Sequence, residues 1–319
     1  MVNLMSKRNY CFALSIIIIL AGIVGFLVNG IELDIQFQGG TIMQIVMTDE
    51  NFDVNKIERE VTELINKAVS AQKLKTYNPE NNEDMIDILM LKVSSEDTLS
   101  DTEINNIVNM LKENYNVNEN SQMDVQSVAP FIGAEMLRNG IKAAIIASIL
   151  IILYVWWRFR VMGLAAAITS VLALVHDILV MFAVYTIFRI PVNESFIAAV
   201  LTILGYSLND TIVIYDRIRE NTKTMGSRDI ENLVNTSVVQ TLSRTIYTTI
   251  STLICVIVIY VFAAVNNIQS LKEFSFPLIF GLVSGTYSTV FIASPLWMLW
   301  RNARMKKVLR KKPSRAEYF

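Results

Sequence analysis

The sequence predicts a polytopic α-helical membrane protein, with six transmembrane helices and an external α+β ferredoxin-like domain between helices 1 and 2. Of its 319 residues, 53% are hydrophobic and only 18% are charged, a composition outside the usual range of soluble globular proteins. Several uncharged runs also reach the roughly 20 residues that a helix needs to cross about 30 Å of hydrocarbon. These two observations exclude a wholly soluble protein.

The apolar runs place the six predicted spans. The first covers about 10–28 and is too long for a typical signal peptide, so we expect residues 1–29 to hold a short N-terminus and a signal-anchor helix. The other five form a predicted bundle over 137–300, at about 137–157, 161–188, 195–215, 245–265 and 274–300. Cys11 and Cys255 both lie inside apolar runs, so we expect no disulfide and no thiol metal site.

Charge predicts the orientation of the chain. Residues 30–138 contain 20 acidic and 8 basic residues, whereas basic residues elsewhere cluster beside the apolar runs. By the positive-inside rule, those basic edges are cytoplasmic. We therefore expect both termini in the cytoplasm and an external domain over 30–136. The same rule predicts a cytoplasmic loop at 216–244 and a basic cytoplasmic tail at 301–319.

The external block alternates strand and helix patterns. Strands are predicted at 41–47, 75–77, 85–93 and 123–128, and helices at 54–69 and from Ser100 onward. Ser100 and Glu103 have the spacing of a capping box at the start of the second helix. The resulting order, β-α-β-β-α-β, is typical of a ferredoxin-like unit. No metal-ligand spacing or nucleophilic triad appears in this block, which favours a lever or a binding surface.

Ionisable residues inside the predicted spans are the main functional signal, because each costs about 2.5 kcal/mol or more at the bilayer centre. Two fall in the third span, one in the fourth, and one begins the fifth. The predicted ion pathway consists of Asp210, Arg244, Asp177, His176, Asn209 and Thr211. Structural alternatives stay open for His176 as an interhelical hydrogen-bonding residue, for Asp177 as its partner, and for Arg244 as an anchor at the membrane edge.

Glycines predict two further kinds of position. Small residues permit close contact between membrane helices, and the predicted packing positions are Gly205, Gly281 and Gly285. The second kind lies where the chain passes between the first helix, the external domain and the second helix. The predicted hinge or junction residues there are Gly39, Gly40, Pro130 and Gly133, and a flexible junction is the simplest interpretation of the paired glycines.

Six motifs carry a resemblance to a known family: FQGGT at 37–41, SVAPFIGAEM at 127–136, VHDILV at 175–180, GYSLNDTIVIYDRIREN at 205–221, LSRTI at 242–246 and GTYSTVFIASPLW at 285–297. With them the sequence resembles the SecF family of the bacterial SecD-SecF export complex, within the resistance-nodulation-division superfamily. The resemblance covers nearly the whole chain, and the fourth-span motif is highly specific. Ala129 departs from the family, where glycine usually precedes the proline, so a stiffer hinge is expected there.

The resemblance implies a half-transporter of the bacterial plasma (inner) membrane rather than an enzyme. Its implied partners are SecD, the SecYEG translocon, translocating preproteins and, as a further candidate, YajC. The implied function is to use a proton or sodium gradient for late, ATP-independent preprotein translocation and release from SecYEG. In the family, the residues matching Asp210 and Arg244 are associated with ion conduction. No cofactor or nucleic acid is implied, and no nucleotide-binding loop is evident in the sequence.

Three alternatives remain open. Two aspartates on neighbouring helices, Asp177 and Asp210, are the group that an intramembrane aspartyl protease uses, although the LNDT context at 208–211 differs from the Gly-x-Gly-Asp of that class. A small-molecule exporter half of the same superfamily is expected to have a larger external domain with apolar clefts. A scaffold without transport activity is expected to tolerate a neutral residue at position 210.

Overall fold

The computed structural model describes residues 3–48, 52–77, 85–94, 99–115, 117, 124–159, 162–226, 229–266 and 268–311. A short 3₁₀ turn, Met5–Lys7, leads into α1 (Arg8–Asn29), and a four-residue α2 (Ile35–Gln38) follows. The external domain then contains β1 (Gly40–Met47), α3 (Val54–Ile65), β2 (Ala68–Tyr77), β3 (Met85–Ser94), α4 (Asp101–Tyr115) and β4 (Asp124–Val128). These elements follow the predicted order.

The four strands form one sheet in the order β2-β3-β1-β4, and every neighbouring pair is antiparallel. Alternate residues of a strand point to the same face, and one face packs against the apolar stripes of α3 and α4. The core of this packing contains Met43, Ile45, Leu89 and Leu91 from the sheet and Ile57, Val61, Ile107 and Leu111 from the helices. The domain therefore has its own hydrophobic core, separate from the membrane bundle.

Two element bounds in this domain differ from the prediction. The first helix ends at Ile65 rather than at 69, because Asn66 adopts the left-handed conformation with φ 51° that terminates helices. The following residues enter β2, so the predicted strand at 75–77 is the end of a strand of 10 residues. The apolar spacing could not reveal this boundary, because Ala68 and Val69 also continue the helical pattern.

The predicted capping box at the start of α4 is confirmed. The backbone N–H of Ser100 donates to Glu103 Oε2 at 2.8 Å, and the backbone N–H of Glu103 donates to Ser100 Oγ at 3.4 Å. Lys67 Nζ also lies 2.7 Å from Glu103 Oε1. The hydrogen bond from Lys67, followed by that from the Ser100 backbone, lowers the pKa of Glu103 from 4.5 to about 2.

We expect the stability of the first turn of α4 to depend on pH through Glu103. Because the folded-state pKa is lower than the unfolded value, the stabilisation is fully present above pH 4.5 and is lost as the pH falls through about 2. The measurement is amide hydrogen-exchange protection in α4, corrected for intrinsic exchange. Glu103→Gln keeps a side-chain acceptor and removes the titration, so this variant is expected to lack the acid step. An equal acid step in both proteins would contradict the prediction.

The chain returns from the sheet through α5 (Pro130–Arg158) and continues as α6 (Leu164–Phe188), α7 (Glu194–Met225) and α8 (Ile230–Val265). The last span consists of α9 (Gln269–Ser288), a π turn (Thr289–Ala293) and α10 (Ser294–Lys311). Six helices among the described residues are long and apolar enough to cross a membrane, as predicted. The core of the bundle lies along α6, α7 and α9, whereas α1, α5 and α8 keep many exposed apolar side chains.

The structure differs from the predicted loop at 216–244. Helix α7 continues to Met225, where Gly226 ends it with φ 73°, and α8 begins at Ile230 after the side chain of Asp229 caps its first turn. The charge run at 216–220 pairs along the helix surface rather than forming a loop, since Arg219 and Asp216 lie one turn apart with 2.9 Å between Nη2 and Oδ1. Helical charge pairs and loop charges look alike in the sequence.

Candidate functional site

Asp177 lies at the centre of a hydrogen-bonded cluster in the membrane bundle. Its side chain is fully buried on α6. Oδ1 accepts a hydrogen bond from Ser284 Oγ at 2.6 Å, and Oδ2 accepts from Ser207 Oγ and Ser288 Oγ, each at 2.8 Å. Ser207 belongs to α7, and the other two serines belong to α9. One carboxyl group therefore holds three membrane helices together, and we call Asp177 with these three residues the serine cluster.

His176 extends this cluster to the first helix. Its Nδ1 lies 3.2 Å from Asp177 Oδ1, and its Nε2 hydrogen-bonds with Ser15 Oγ of α1 at 3.0 Å. The imidazole also stacks on Tyr287, with 5.9 Å between ring centroids. Tyr287 donates to the backbone oxygen of Cys11 at 2.6 Å. The structure thus places His176 between α1, α6 and α9, which is the geometry that the interhelical alternative describes.

Asp210 lies on α7, three residues after Ser207 and therefore about one helical turn from it. Its side chain is buried, and Oδ2 has no hydrogen-bond partner in the described part of the chain. Thr211 beside it bonds with Thr289 Oγ1 at 3.0 Å and donates to the backbone oxygen of Ser207 at 3.3 Å. Polar groups therefore run from Asp177 through Ser207 to Thr211 and Thr289, and Asp210 directly precedes Thr211 on α7.

Arg244 and Asn209 line a charged cavity of about 640 Å³ between α7 and α8. Its other lining residues include Arg158, Asp216, Arg217, Arg219, Glu220 and Gln240. Asp210 is not among the lining residues, but it directly follows Asn209, and Arg244 is close enough to act on it electrostatically. No ion pair within 4.0 Å joins Asp210 to Arg244 in the ranges that the structure describes. The six predicted pathway residues therefore divide: His176, Asp177 and Thr211 take part in the hydrogen-bonded network, Asn209 and Arg244 line the cavity, and Asp210 lies between Asn209 and Thr211 on α7.

The π turn shapes the last helix at this cluster. Ser294 Oγ donates to the backbone oxygen of Thr289 at 2.9 Å, and the wider turn follows directly after Ser288. Such turns are frequent at functional sites. The role of these serines and the π turn were not predicted from the sequence. A serine hydroxyl group in a helix can hydrogen-bond to the backbone oxygen of its own helix, so it carries little free-energy cost that would mark it in the sequence. The sequence did contain one indication: Ser284 and Ser288 are four residues apart, which places both hydroxyl groups on one face of the helix.

Two of the three predicted packing glycines lie at close helix contacts. A Cβ atom on Gly281 would lie 2.5 Å from Ile203 Cγ1, and one on Gly285 would lie 3.0 Å from Ser207 Cβ. Gly205 is different, because a Cβ atom there would meet nothing within 4 Å. Its assignment as a packing residue is therefore wrong within this chain: Ile203 and Ser207 face α9, whereas Gly205 lies on the exposed side of α7.

Substitution of these glycines by alanine is expected to change stability at the close helix contact of Gly281 but not at the open position of Gly205. Gly281→Ala should lower the free energy of unfolding of the bundle by about 1 to 3 kcal/mol, because the added methyl group overpacks the contact with Ile203. Gly205→Ala on the open side should leave it unchanged or raise it. The measurement is unfolding of the isolated chain in mixed micelles by increasing dodecyl sulfate. Equal effects of the two substitutions would contradict this assignment.

The four predicted junction residues meet in one compact contact. A Cβ atom on Gly39 would lie 2.6 Å from Pro130 Cα, and one on Gly133 would lie 2.7 Å from the backbone oxygen of Phe37. Gly40 has φ 138° and approaches the backbone oxygen of Val93. The chain therefore leaves α1 and returns to α5 through the same place, where glycine is needed for close approach and for positive φ.

Comparisons with known proteins agree with the arrangement of six spans. The sequence model of the family described as "Protein export membrane protein SecD/SecF, C-terminal" matches residues 107–303. The protein translocase subunit SecF of Desulfurispirillum indicum is 31% identical over 320 residues, which cover 98% of this chain and 96% of that protein. The chain belongs to the SecD/SecF family of protein-export membrane proteins.

Other members of the SecD/SecF family support the same assignment. The protein translocase subunit SecF of Alicyclobacillus acidocaldarius is 32% identical, with coverage of 97% of this chain and 96% of that protein. The crystal structure of SecDF, a translocon-associated membrane protein from Thermus thermophilus, matches with a TM-score of 0.77 and 28% identity. The match covers 94% of this chain but only 39% of that longer polypeptide.

The region that matches the SecD/SecF family model contains the whole candidate site. The range 107–303 begins in α4 and includes α5 to α9 with the π turn. It therefore includes Asp177, Asp210 and Arg244 with the serine cluster. It does not include α1, which reaches the cluster through the hydrogen bond between Ser15 and His176.

Proposed function

We propose that this chain is the SecF-type subunit of a bacterial protein-export complex, in which it pairs with a SecD-type subunit. The pair uses a proton or sodium gradient to promote late, ATP-independent preprotein translocation and release from SecYEG, with YajC as a further candidate partner. Family membership supports an export role, and the longer SecDF polypeptide supports the pairing. The proposed location is the inner membrane, with both termini and the 216–244 segment on the cytoplasmic side.

The observation that carries the proposal is the unpaired Oδ2 of Asp210 in the buried part of α7. Buried polar atoms normally have a hydrogen-bond partner, so an exception calls for a physical explanation. A proton that binds Asp210 removes the buried charge, and a small cation that binds there gives the oxygen a partner. Because moving one charge through 100 mV is worth about 2.3 kcal/mol, an ion gradient across this site provides enough energy to shift the packing of helices.

The polar groups next to Asp210 supply a route by which its occupancy changes the bundle. Thr211 bonds with Thr289 of the π turn, and both lie against the backbone oxygen of Ser207. Ser207 in turn donates to Asp177. Because Asp210 directly precedes Thr211, a change in its charge is proposed to act on α7, on the last helix and on α6 through these four contacts. Arg244, which lines the cavity, is proposed to attract the ionised form of Asp210 and to release Asp210 when the carboxyl group is neutralised.

The geometry does not favour an intramembrane aspartyl protease. Such an enzyme holds two carboxyl groups around one water molecule or proton. Both oxygens of Asp177 are already hydrogen-bonded to serine hydroxyl groups. No hydrogen bond joins Asp177 to Asp210 within the described ranges. This difference in hydrogen bonding supports separate roles for the two carboxyl groups.

The test is preprotein translocation after the ATP-driven step, in vesicles that contain SecYEG, a SecD-type partner and this chain. Asp210→Asn is expected to remove the benefit of the gradient while leaving assembly with the partner intact. Collapsing the proton and sodium gradients separately identifies the ion. The matched control is Glu194→Gln, because Glu194 is an exposed carboxyl group on the same helix and does not line the cavity that contains Arg244. Normal gradient-dependent export by Asp210→Asn would support the scaffold alternative instead.

A further inference from the structure

A charged cluster joins the external sheet to the chain that leaves the first membrane helix. Lys92 Nζ on β3 lies 3.0 Å from Asp34 Oδ2, and the two side chains are only 16% and 6% exposed. The backbone N–H of Asp34 donates to the backbone oxygen of Val192, just before α7, at 3.0 Å. Because both charges are largely removed from water, this pair is a structural contact rather than a loose surface ion pair.

Glu273 of α9 faces the same cluster from the membrane side. Its carboxyl group accepts hydrogen bonds from Gln269 Nε2 at 2.7 Å and from Asn193 Nδ2. Asn193 also caps α7, since its Oδ1 accepts from the backbone N–H of Phe196 at 3.1 Å. Lys92 and Glu273 line the same cavity between the sheet and α9, without an ion pair within 4.0 Å between these two described residues, so Lys92 acts on Glu273 across that cavity. Lys92 is therefore a cation of the sheet that acts on two carboxyl groups, one on the connecting chain and one on α9.

The charged cluster contacts α7 and α9, the two helices whose serines hydrogen-bond to Asp177. Asn193 begins α7, which supplies Ser207, and α9 supplies Ser284 and Ser288. Glu273 and Ser284 are 11 residues apart, which corresponds to about 17 Å along a helix axis. The charged cluster around Lys92 and the serine cluster thus contact the same two helices, α7 and α9, at different positions along their length.

Two features leave the sheet room to move relative to α9. A cavity of about 370 Å³ lies between them, lined by Ile42, Gln44 and Met90 of the sheet and by Gln269 and Ser270 of α9. In addition, Pro277 lies inside α9. Proline has no backbone N–H, so it cannot donate to the carbonyl group four residues earlier, that of Glu273. The first turns of α9 can therefore tilt without breaking hydrogen bonds nearer the serine cluster.

We propose that Lys92 is a positioning residue that ties the external sheet to α7 and α9 through Asp34 and Glu273. The inference rests on the proposed function, because it describes how a change of charge at Asp210 reaches the external domain. When α7 shifts around Asp177, Asn193 at its start shifts with it, and the hydrogen bond from Asn193 moves Glu273 and the first turns of α9. Lys92 remains paired with Asp34, so its distance to Glu273 and the width of the cavity above α9 change.

The experiment measures the distance between the sheet domain and α9 by pulsed electron paramagnetic resonance. The full chain, assembled with its SecD-type partner in lipid nanodiscs, carries nitroxide labels at Glu63→Cys on α3 and Leu271→Cys on α9, with both native cysteines replaced by alanine. Lys92→Gln is expected to broaden the distance distribution and to shift it to longer distances. Lys92→Arg keeps the cation and is expected to restore the original distribution. Lys56→Gln removes an exposed lysine of α3 that pairs within its own helix, and is expected to change nothing.

A second comparison separates this inference from the proposed function. Asp210→Asn is expected to shift the distribution in the chain that has Lys92 and to leave it unchanged in Lys92→Gln. An unchanged distribution in Lys92→Gln, or the same broadening in Lys92→Arg, would overturn the inference even if gradient-driven export depends on Asp210. A broadened distribution in Lys92→Gln supports the tie, even if Asp210→Asn exports normally and the proposed function fails.

Discussion

Replacement of Asp177 by alanine is expected to destabilise the membrane bundle strongly. The substitution removes the acceptor of three serine hydroxyl groups that come from two other helices. Interhelical hydrogen bonds in membranes contribute about 0.6 to 1.7 kcal/mol each, so the expected loss is about 2 to 5 kcal/mol in the free energy of unfolding. The value lies toward the lower end if the hydroxyl groups turn to their own helices, as Ser288 already does with Gly285 at 3.2 Å.

The measurement is dodecyl sulfate unfolding of the isolated chain, with Asp177→Asn and Asp210→Asn as matched variants. Asp177→Asn keeps one acceptor oxygen and is expected to lose less stability than Asp177→Ala. Asp210→Asn removes a buried charge whose Oδ2 has no partner among the described residues, so its stability is expected to be unchanged or higher. Equal losses at both positions would contradict the distinction between a structural and a functional aspartate.

The sequence predicted the parts of the fold that depend on composition and period. The number of spans, the order of elements in the external block and the capping box at Ser100 and Glu103 are all present. Apolar run length and strand or helix period are local properties, so one sequence is sufficient to find them. Helix ends were less predictable, because Asn66 terminates α3 by a backbone conformation and not by a change in polarity.

The arrangement of the candidate site was only partly predictable. An ionisable residue within an apolar run can be recognised in the sequence, because it is energetically unfavourable in the membrane. Asp177, Asp210 and Arg244 were predicted as site residues on this ground. The residues that bind Asp177 are serines, which carry no charge and occur throughout membrane helices. The face that a helix turns toward its neighbours depends on the rest of the fold and cannot be predicted from the local sequence. Gly205 was therefore assigned to a helix contact that Ile203 and Ser207 make instead.

Neutral substitutions at Asp210 and Arg244 are expected to remove the same gradient-dependent part of preprotein translocation. In the proposed mechanism the arginine acts only through its attraction to the ionised aspartate, so the two residues form one unit. Effects of residues that act as one unit are not additive. Asp210→Asn, Arg244→Gln and the double variant should therefore reach the same residual rate in vesicles with the gradient intact. That rate should equal the rate of the unsubstituted chain with the gradient collapsed.

Arg217→Gln is the matched control for Arg244→Gln, because both arginines line the same cavity but Arg217 pairs with Glu220 at 2.8 Å. It is expected to retain most of the gradient's benefit. If Arg217→Gln loses as much as Arg244→Gln, the positive charge of the whole cavity matters rather than the position of one arginine. If the double variant is slower than either single variant, each residue has an independent task. Asp210 and Arg244 form no ion pair within 4.0 Å in the described ranges, so their attraction acts at longer range, where the other charges that line the cavity also contribute. The Arg217→Gln control measures that contribution.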